Sequence, residues 1–249
     1  VFNNQKKGLE NVTDYHRDLD ITQAISTTSY AQDGTTFKRE TFSSYPDDVT
    51  VTHLSKKGDK TLDFTLWNSL TEDLLANGDY SWEYSNYKQG AVTTDSNGIL
   101  LKGTVKDNGL QFASYLGIKT DGQVTAQDGY LIVTGASYAT LLLSAKTNYA
   151  QNPKTNYRKD INVETTVKSI VEAAKAKDYE TLKHNHIKDY QSLFNRVQLN
   201  LGGNKSSQTT KEALHTYNPE KGQKLEELFF QYGRYLLISS SRDRTDALP

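Results

Sequence analysis

The chain has 249 residues, 29 of them basic and 30 acidic, so its formal net charge is only −1; that length suits one large or two ordinary domains, and the balance leaves no basic stripe for tracking phosphates. No apolar run approaches the ~20 residues of a membrane span and no charged-then-apolar leader opens the chain, so neither nucleic acid nor a membrane span is expected. Cysteine is absent, which removes disulfides, thiolate nucleophiles and zinc–thiolate sites. Of the five histidines, only His184 and His186 sit close together, and a helix would point them in different directions; no metal or other cofactor is expected. Methionine is missing even at position 1, so an excised or processed piece is expected.

Asp-Gly or Asn-Gly pairs begin at Asp33, Asn77, Asn97, Asn108, Asp121 and Asp128, each a favourable place for positive φ in a tight hairpin. Between them the hydrophobic period is two. Leu62, Phe64 and Leu66 share one face while Asp63, Thr65 and Trp67 take the other, and similar runs cover 99–105, 110–118 and 123–126. The stretches 131–133 and 140–145 are nearly continuous apolar runs, as expected of strands covered on both faces. The first half therefore reads as a large antiparallel β-sandwich.

After Thr147 the alternation stops. Residues 148–160 are polar and contain Pro153, which reads as a linker. A helical period follows: Val163, Val167, Ile170, Val171 and Ala174 form one face over about 161–177, with Asp160 or Asn162 as its cap. Asp178 caps a second helix to 194 with a stripe of Tyr179, Leu182, His186, Tyr190 and Leu193. The segment 197–201 looks like a short strand. A last helix over 219–239 has Asn218 as cap and Pro219 at its first position; Leu225, Leu228, Phe229, Tyr232 and Leu236 form a stripe that Phe230, Tyr235, Leu237 and Ile238 widen almost all round, so it needs neighbours. Strands followed by helices indicate a β region and then an α region.

The residues Tyr15-x-Arg17-x-Leu19-Asp20 and Phe37-x-Arg39-Glu40-x-Phe42-x-Ser44-Tyr45-Pro46-Asp47 resemble the N-terminal domain of glycoside hydrolase family 95. Asp189-Tyr190-x-x-Leu193-Phe194-x-Arg196-Val197-x-Leu199-x-Leu201-Gly202 is similar to that family's linker region, and the run from Gln231 to Arg242 to its first barrel helix. The resemblance implies a β-supersandwich over 1–150, a helical linker over 151–217, and the start of a truncated (α/α)6 barrel over 218–249. It also implies an inverting α-L-fucosidase acting on fucosylated glycans, extracellular or on the cell surface, from a streptococcal or related Gram-positive bacterium. The family's general acid and water-activating residues match no position here, so the fragment itself is expected to be inactive. The alternative is a free-standing carbohydrate-binding or adhesive sandwich.

No catalytic residue is assigned. Adjacent carboxylates at Asp47-Asp48 and Glu226-Glu227 diverge along a strand or helix and cannot meet on one glycosidic oxygen. Arg39-Glu40 reads as ion pairing with cross-strand partners, and His186 as a core histidine. Tyr80, Trp82 and Tyr84 alternate and form the candidate face for stacking on a sugar ring. The helix over 219–239 is a candidate surface for self-association.

Overall fold

A computed structural model of the chain describes residues 11–68, 81–84, 88–203 and 207–242, with the backbone alone over 81–84 and 88–89. Among these residues the strands run β1 (Val12–Asp20), β2 (Ile25–Gln32), β3 (Thr35–Ser44), β4 (Val49–Lys57), β5 (Leu62–Leu66), β6 (Ser81–Tyr84), β7 (Lys88–Asp95), β8 (Gly98–Val105), β9 (Gln111–Thr120), β10 (Gln123–Gln127), β11 (Tyr130–Ala136) and β12 (Tyr138–Thr147). The helices are α1 (Val163–Lys175), α2 (Tyr179–Phe194), α3 (Thr210–His215) and α4 (Gln223–Ser240). The chain divides into two compact units, Val1–Asp18 with Ile25–His186, and Leu19–Ala24 with Ile187–Pro249.

The first unit is the expected antiparallel sandwich. Its large sheet has the order β1-β2-β3-β4-β12-β9-β8-β7-β6 and its small sheet β10-β11-β5. Two meanders, β1 to β4 and β6 to β9, are joined because β12 slots between β4 and β9, antiparallel to both. The core between the sheets is built by alternating side chains, among them Leu62 and Phe64 of β5, Leu131 and Val133 of β11, and Val92, Ile99 and Ile118 of the large sheet. Strand β12 is not covered throughout: Leu142 is fully buried but Leu143 is 39% exposed.

The turn residues behave differently from one another. Asp33-Gly34 and Asp128-Gly129 have positive φ at both positions and close two-residue hairpins, because this geometry matches the strand twist. At Asn97-Gly98 neither φ is positive; the Asp95 carboxylate closes that turn by accepting from the Asn97 and Gly98 amides at 2.8 and 3.1 Å. Asp121-Gly122 is no hairpin: it carries the chain from β9 in the large sheet to β10 in the small one. Asp121 accepts from the Ser137 and Tyr138 amides at 2.9 and 3.2 Å, and a Cβ at Gly122 would lie 2.7 Å from Ala136. Asn77 lies outside the described residues.

Helix α1 packs on β9 and β12 through buried Val163, Val167, Val171 and Ala174. Asn162 caps it, accepting from Thr165 N at 3.0 Å, while Lys119 of β9 donates to the carbonyls of Lys175 and Lys177 at 3.1 and 2.8 Å, placing a cation at the negative helix end. A Cβ on Gly117 would come within 2.5 Å of Val171 Cγ1. Gly117→Ala is therefore expected to destabilise the first unit by about 1–3 kcal/mol through overpacking. Urea unfolding monitored by circular dichroism measures the effect, and Val171→Ala in the same background should recover part of it.

In α2 the Asp178 carboxylate accepts from Thr181 N at 2.6 Å, and the buried stripe is Leu182, His186, Tyr190 and Phe194. Phe194, not Leu193, closes it. Within the second unit 197–201 forms no strand, and among the described residues that unit holds no whole strand for it to pair with; Val197 and Leu201 are 45% and 44% exposed. Arg234 of α4 donates to Val197 O at 2.9 Å and Glu227 accepts from Leu201 N at 2.6 Å, so side chains take over part of the ladder's role. Asn218 and Pro219 also differ from expectation. They open a turn in which Asn218 accepts from Glu220 N at 2.9 Å, and α4 starts later, after Gly222, without a side-chain cap. Helix α3, not expected from the hydrophobic period, forms on a capping box between Thr209 and Glu212.

Candidate functional site

The residues that carry the family resemblance converge on two polar networks. In the first unit Glu40 of β3 is only 8% exposed. It accepts from Lys183 at 2.8 Å and from the Tyr179 hydroxyl at 3.0 Å, both on α2, and pairs with Lys38 at 3.2 Å. Burial raises its pKa, but the hydrogen bonds from Lys183, Lys38 and Tyr179 and the Lys183 charge outweigh it and hold the carboxyl below its ordinary value. The partners come from its own strand and a helix, not from the cross-strand register position, which is His53. His53 stacks on Tyr179 with ring centroids 3.8 Å apart and contacts Thr140 Oγ1 at 2.9 Å. Burial, foremost, keeps its imidazole below the usual pKa.

Close by in sequence, the buried Asp47 accepts from Ser44 Oγ at 2.6 Å, Lys177 at 2.5 Å and Asn185 at 3.4 Å. Its neighbour Asp48 turns away to Lys146 at 2.7 Å. Glu226 and Glu227 diverge likewise, the first accepting from the Tyr217 hydroxyl at 2.7 Å and the second pairing with Lys224 at 2.8 Å. His186 is buried and stacks on Phe42 at 4.7 Å, a core position.

In the second unit Arg242 holds both oxygens of Asp189, at 2.8 and 2.7 Å. Arg234 lies over the Phe194 ring and donates to the Leu193 and Phe194 carbonyls at 3.3 and 2.9 Å, closing the C-terminus of α2. The Tyr190 hydroxyl donates to Ile21 O at 2.7 Å.

Inverting glycosidic hydrolysis by two carboxyls needs one kept protonated by a raised pKa and a second held roughly 6.5–9.5 Å across the bond as base. Among the described residues every carboxyl whose pKa is displaced is displaced downward, by hydrogen bonds or ion pairs. These carboxylates stay ionised at neutral pH and have no proton to give a leaving group. Among the described residues no three His, Asp or Glu side chains gather as metal ligands.

Residues 4–152 match the family described as "Glycosyl hydrolase family 65, N-terminal domain", and residues 178–249 the "Glycosyl hydrolase family 95 catalytic domain". The first match covers more than half of the chain, which belongs to the family of that N-terminal domain. Over 93% of this chain it is 29% identical to "Alpha-L-fucosidase 2" of Arabidopsis thaliana, and over 94% it is 30% identical to "Probable alpha-fucosidase A" of Aspergillus niger. The chain spans 29% of the length of each of these curated relatives. A solved structure, "Putative kojibiose phosphorylase from human microbiome", superposes with a TM-score of 0.50 at 12% identity, covering 91% of this chain and 27% of that one; at that identity the likeness concerns the fold.

Of the expected sugar-stacking face, Tyr80 and the side chains of Trp82 and Tyr84 lie outside the described residues; the backbone of β6 places Trp82 opposite Gly90 and Tyr84 opposite Lys88 at the end of the large sheet. A different aromatic pair, Tyr149 and Tyr157, stands exposed beside a recess lined by Asp107, Asn156 and Arg158. The signal was present in the sequence: two tyrosines lie within the polar stretch 148–160, where no hydrophobic period could bury them.

Proposed function

We propose that the chain serves an α-L-fucosidase of family 95 that releases terminal fucose from glycans. In this reading 1–150 is its β-sandwich, 151–217 a helical linker and 218–249 the beginning of the catalytic barrel. The observation that supports it most is the continuous likeness to α-fucosidases over 93% and 94% of the chain, through both the sandwich and the catalytic-domain sequence. The chain's own contribution is structural. Among the described residues the carboxylates with displaced pKa are held by ion pairs, turns and helix caps, so in this reading the acid and base belong to the rest of the catalytic domain and the 249 residues alone do not turn over substrate. The test is release of free fucose from 2′-fucosyllactose by the full-length protein and by the 249-residue chain, with activity expected from the first alone. Extracellular placement and a Gram-positive source belong to the same proposal and rest on the sequence resemblance.

The surface of α4 fits this reading. Phe229 is 78% exposed and Leu237 62%, with Phe230, Tyr232 and Leu236 between 41% and 47%. Leaving one large apolar side chain in water forgoes about 1.5–3 kcal/mol, and contiguous exposure of this kind marks an association surface. In the complete catalytic domain other helices cover it; in the 249-residue chain it drives self-association. Sedimentation velocity should show a mass that rises with concentration, and a Phe229→Asp/Leu237→Asp variant should remain monomeric. A wild-type chain that stays monomeric throughout would count against this surface.

A further inference from the structure

Tyr149 and Tyr157 are 40% and 45% exposed, with ring planes 4° apart and centroids separated by 6.4 Å. They flank a recess of about 670 Å³ that Asp107, Asn108, Leu110, Asn156 and Arg158 complete, a size typical of small-ligand clefts.

The loop that displays them is closely tied down. Tyr149 and Arg158 form an antiparallel bridge. Ala150 N donates to Tyr157 O at 3.1 Å, Tyr157 N to Asn152 O at 3.0 Å and Lys159 N to Asn148 O at 2.7 Å. The Arg158 guanidinium donates to the carbonyls of Asn108 and Tyr157, fixing the loop to the turn after β8. Within it Asn156 and Tyr157 both have left-handed backbone, at φ 51 and 56. Asparagine tolerates that conformation, but a bulky ring rarely adopts it, and glycine would be the easier residue. Tyr157 therefore occupies an unfavourable position while half-exposed, so packing does not explain it; strain of this kind at the surface points to contact with a ligand.

The chemistry of the recess selects among ligands. Parallel exposed phenol rings offer faces for the apolar C–H side of a pyranose, as tyrosines at binding surfaces commonly do. The Asp107 carboxylate accepts from hydroxyls, and the Asn156 amide both donates and accepts. Arg158 is engaged with carbonyls and Asp107 lines the same recess, so the charges of the lining cancel and offer an anion no net attraction. We propose that the Tyr149–Tyr157 recess is a binding site for a pyranose ring of a neutral oligosaccharide, with Tyr157 as the principal stacking platform. The site goes beyond the proposed hydrolysis and does not depend on which bond the longer protein cleaves.

Maltotetraose, cellotetraose and 2′-fucosyllactose, each titrated to about 10 mM into the 249-residue chain by NMR, test it. At least one should saturate with a millimolar or tighter Kd, near −4 kcal/mol or better. Tyr157→Gly keeps the favoured φ and should retain the melting temperature while weakening that sugar about tenfold or more. Tyr149→Ser, which leaves the left-handed residues untouched, should weaken it as well. Three results would overturn the site: no saturation by any of the three sugars, unchanged binding in both variants, or saturation of the recess by a proline decamer in their place.

Discussion

Glu40→Ala is expected to lower the stability of the first unit by about 3 kcal/mol. The carboxylate side chain is 10% exposed and its main partner, Lys183, is 23% exposed, so removing the acid leaves an ammonium and the Tyr179 hydroxyl without their acceptor in a largely dry place. Glu40→Leu combined with Lys183→Met should recover most of the loss, because removing both charges avoids the penalty that removing one creates. Chemical denaturation of the three proteins measures the difference.

The pH dependence follows from the same groups. The Glu40 pKa is lowered in the folded chain, so its stabilisation is complete above the ordinary value of 4.5 and is lost as pH falls through the lower folded value. His53 is held neutral by burial, with its pKa below 6.5. The unfolded chain thus binds its proton first, and stability declines as pH falls from 6.5. Both effects have one sign, so the wild type should lose stability on acidification in two stages, and Glu40→Leu/Lys183→Met should lose less in the lower one, where the other carboxyls with lowered pKa still titrate. A stability profile that rises toward pH 4 would contradict the geometry around β3, β4 and α2.

Much of the fold was legible because its periods are clean. Leu62, Phe64 and Leu66 alternate in β5 as their spacing requires, and the stripe in α1 matches Val163, Val167, Val171 and Ala174, all buried. What could not be read was determined by contacts distant in sequence. The Asp121-Gly122 pair looks like any hairpin turn, yet it changes sheets because Asp121 finds Ser137. Glu40 meets Tyr179 across 139 positions, which no local pattern announces. Val197 to Leu201 has strand composition but, among the described residues of its unit, no whole strand to join. On the site, pairwise divergence of adjacent carboxylates was readable from element geometry, whereas Tyr149 and Tyr157 come together only through the bridge to Arg158.

The second large effect concerns the reaction itself. On the reading proposed above, the longer protein passes a fucosyl group to water, and transfer to phosphate is the chemistry to be separated from it. An inverting hydrolase attacks the anomeric carbon from the face opposite the leaving group, so an α-fucoside should first yield β-fucose. Proton NMR of the full-length protein acting on 2′-fucosyllactose, with and without phosphate, reads both points at once. Initial accumulation of β-fucose at a rate indifferent to phosphate, with no signal change from the 249-residue chain, is the expected result; a sugar phosphate as product, or turnover by the 249-residue chain alone, would contradict it.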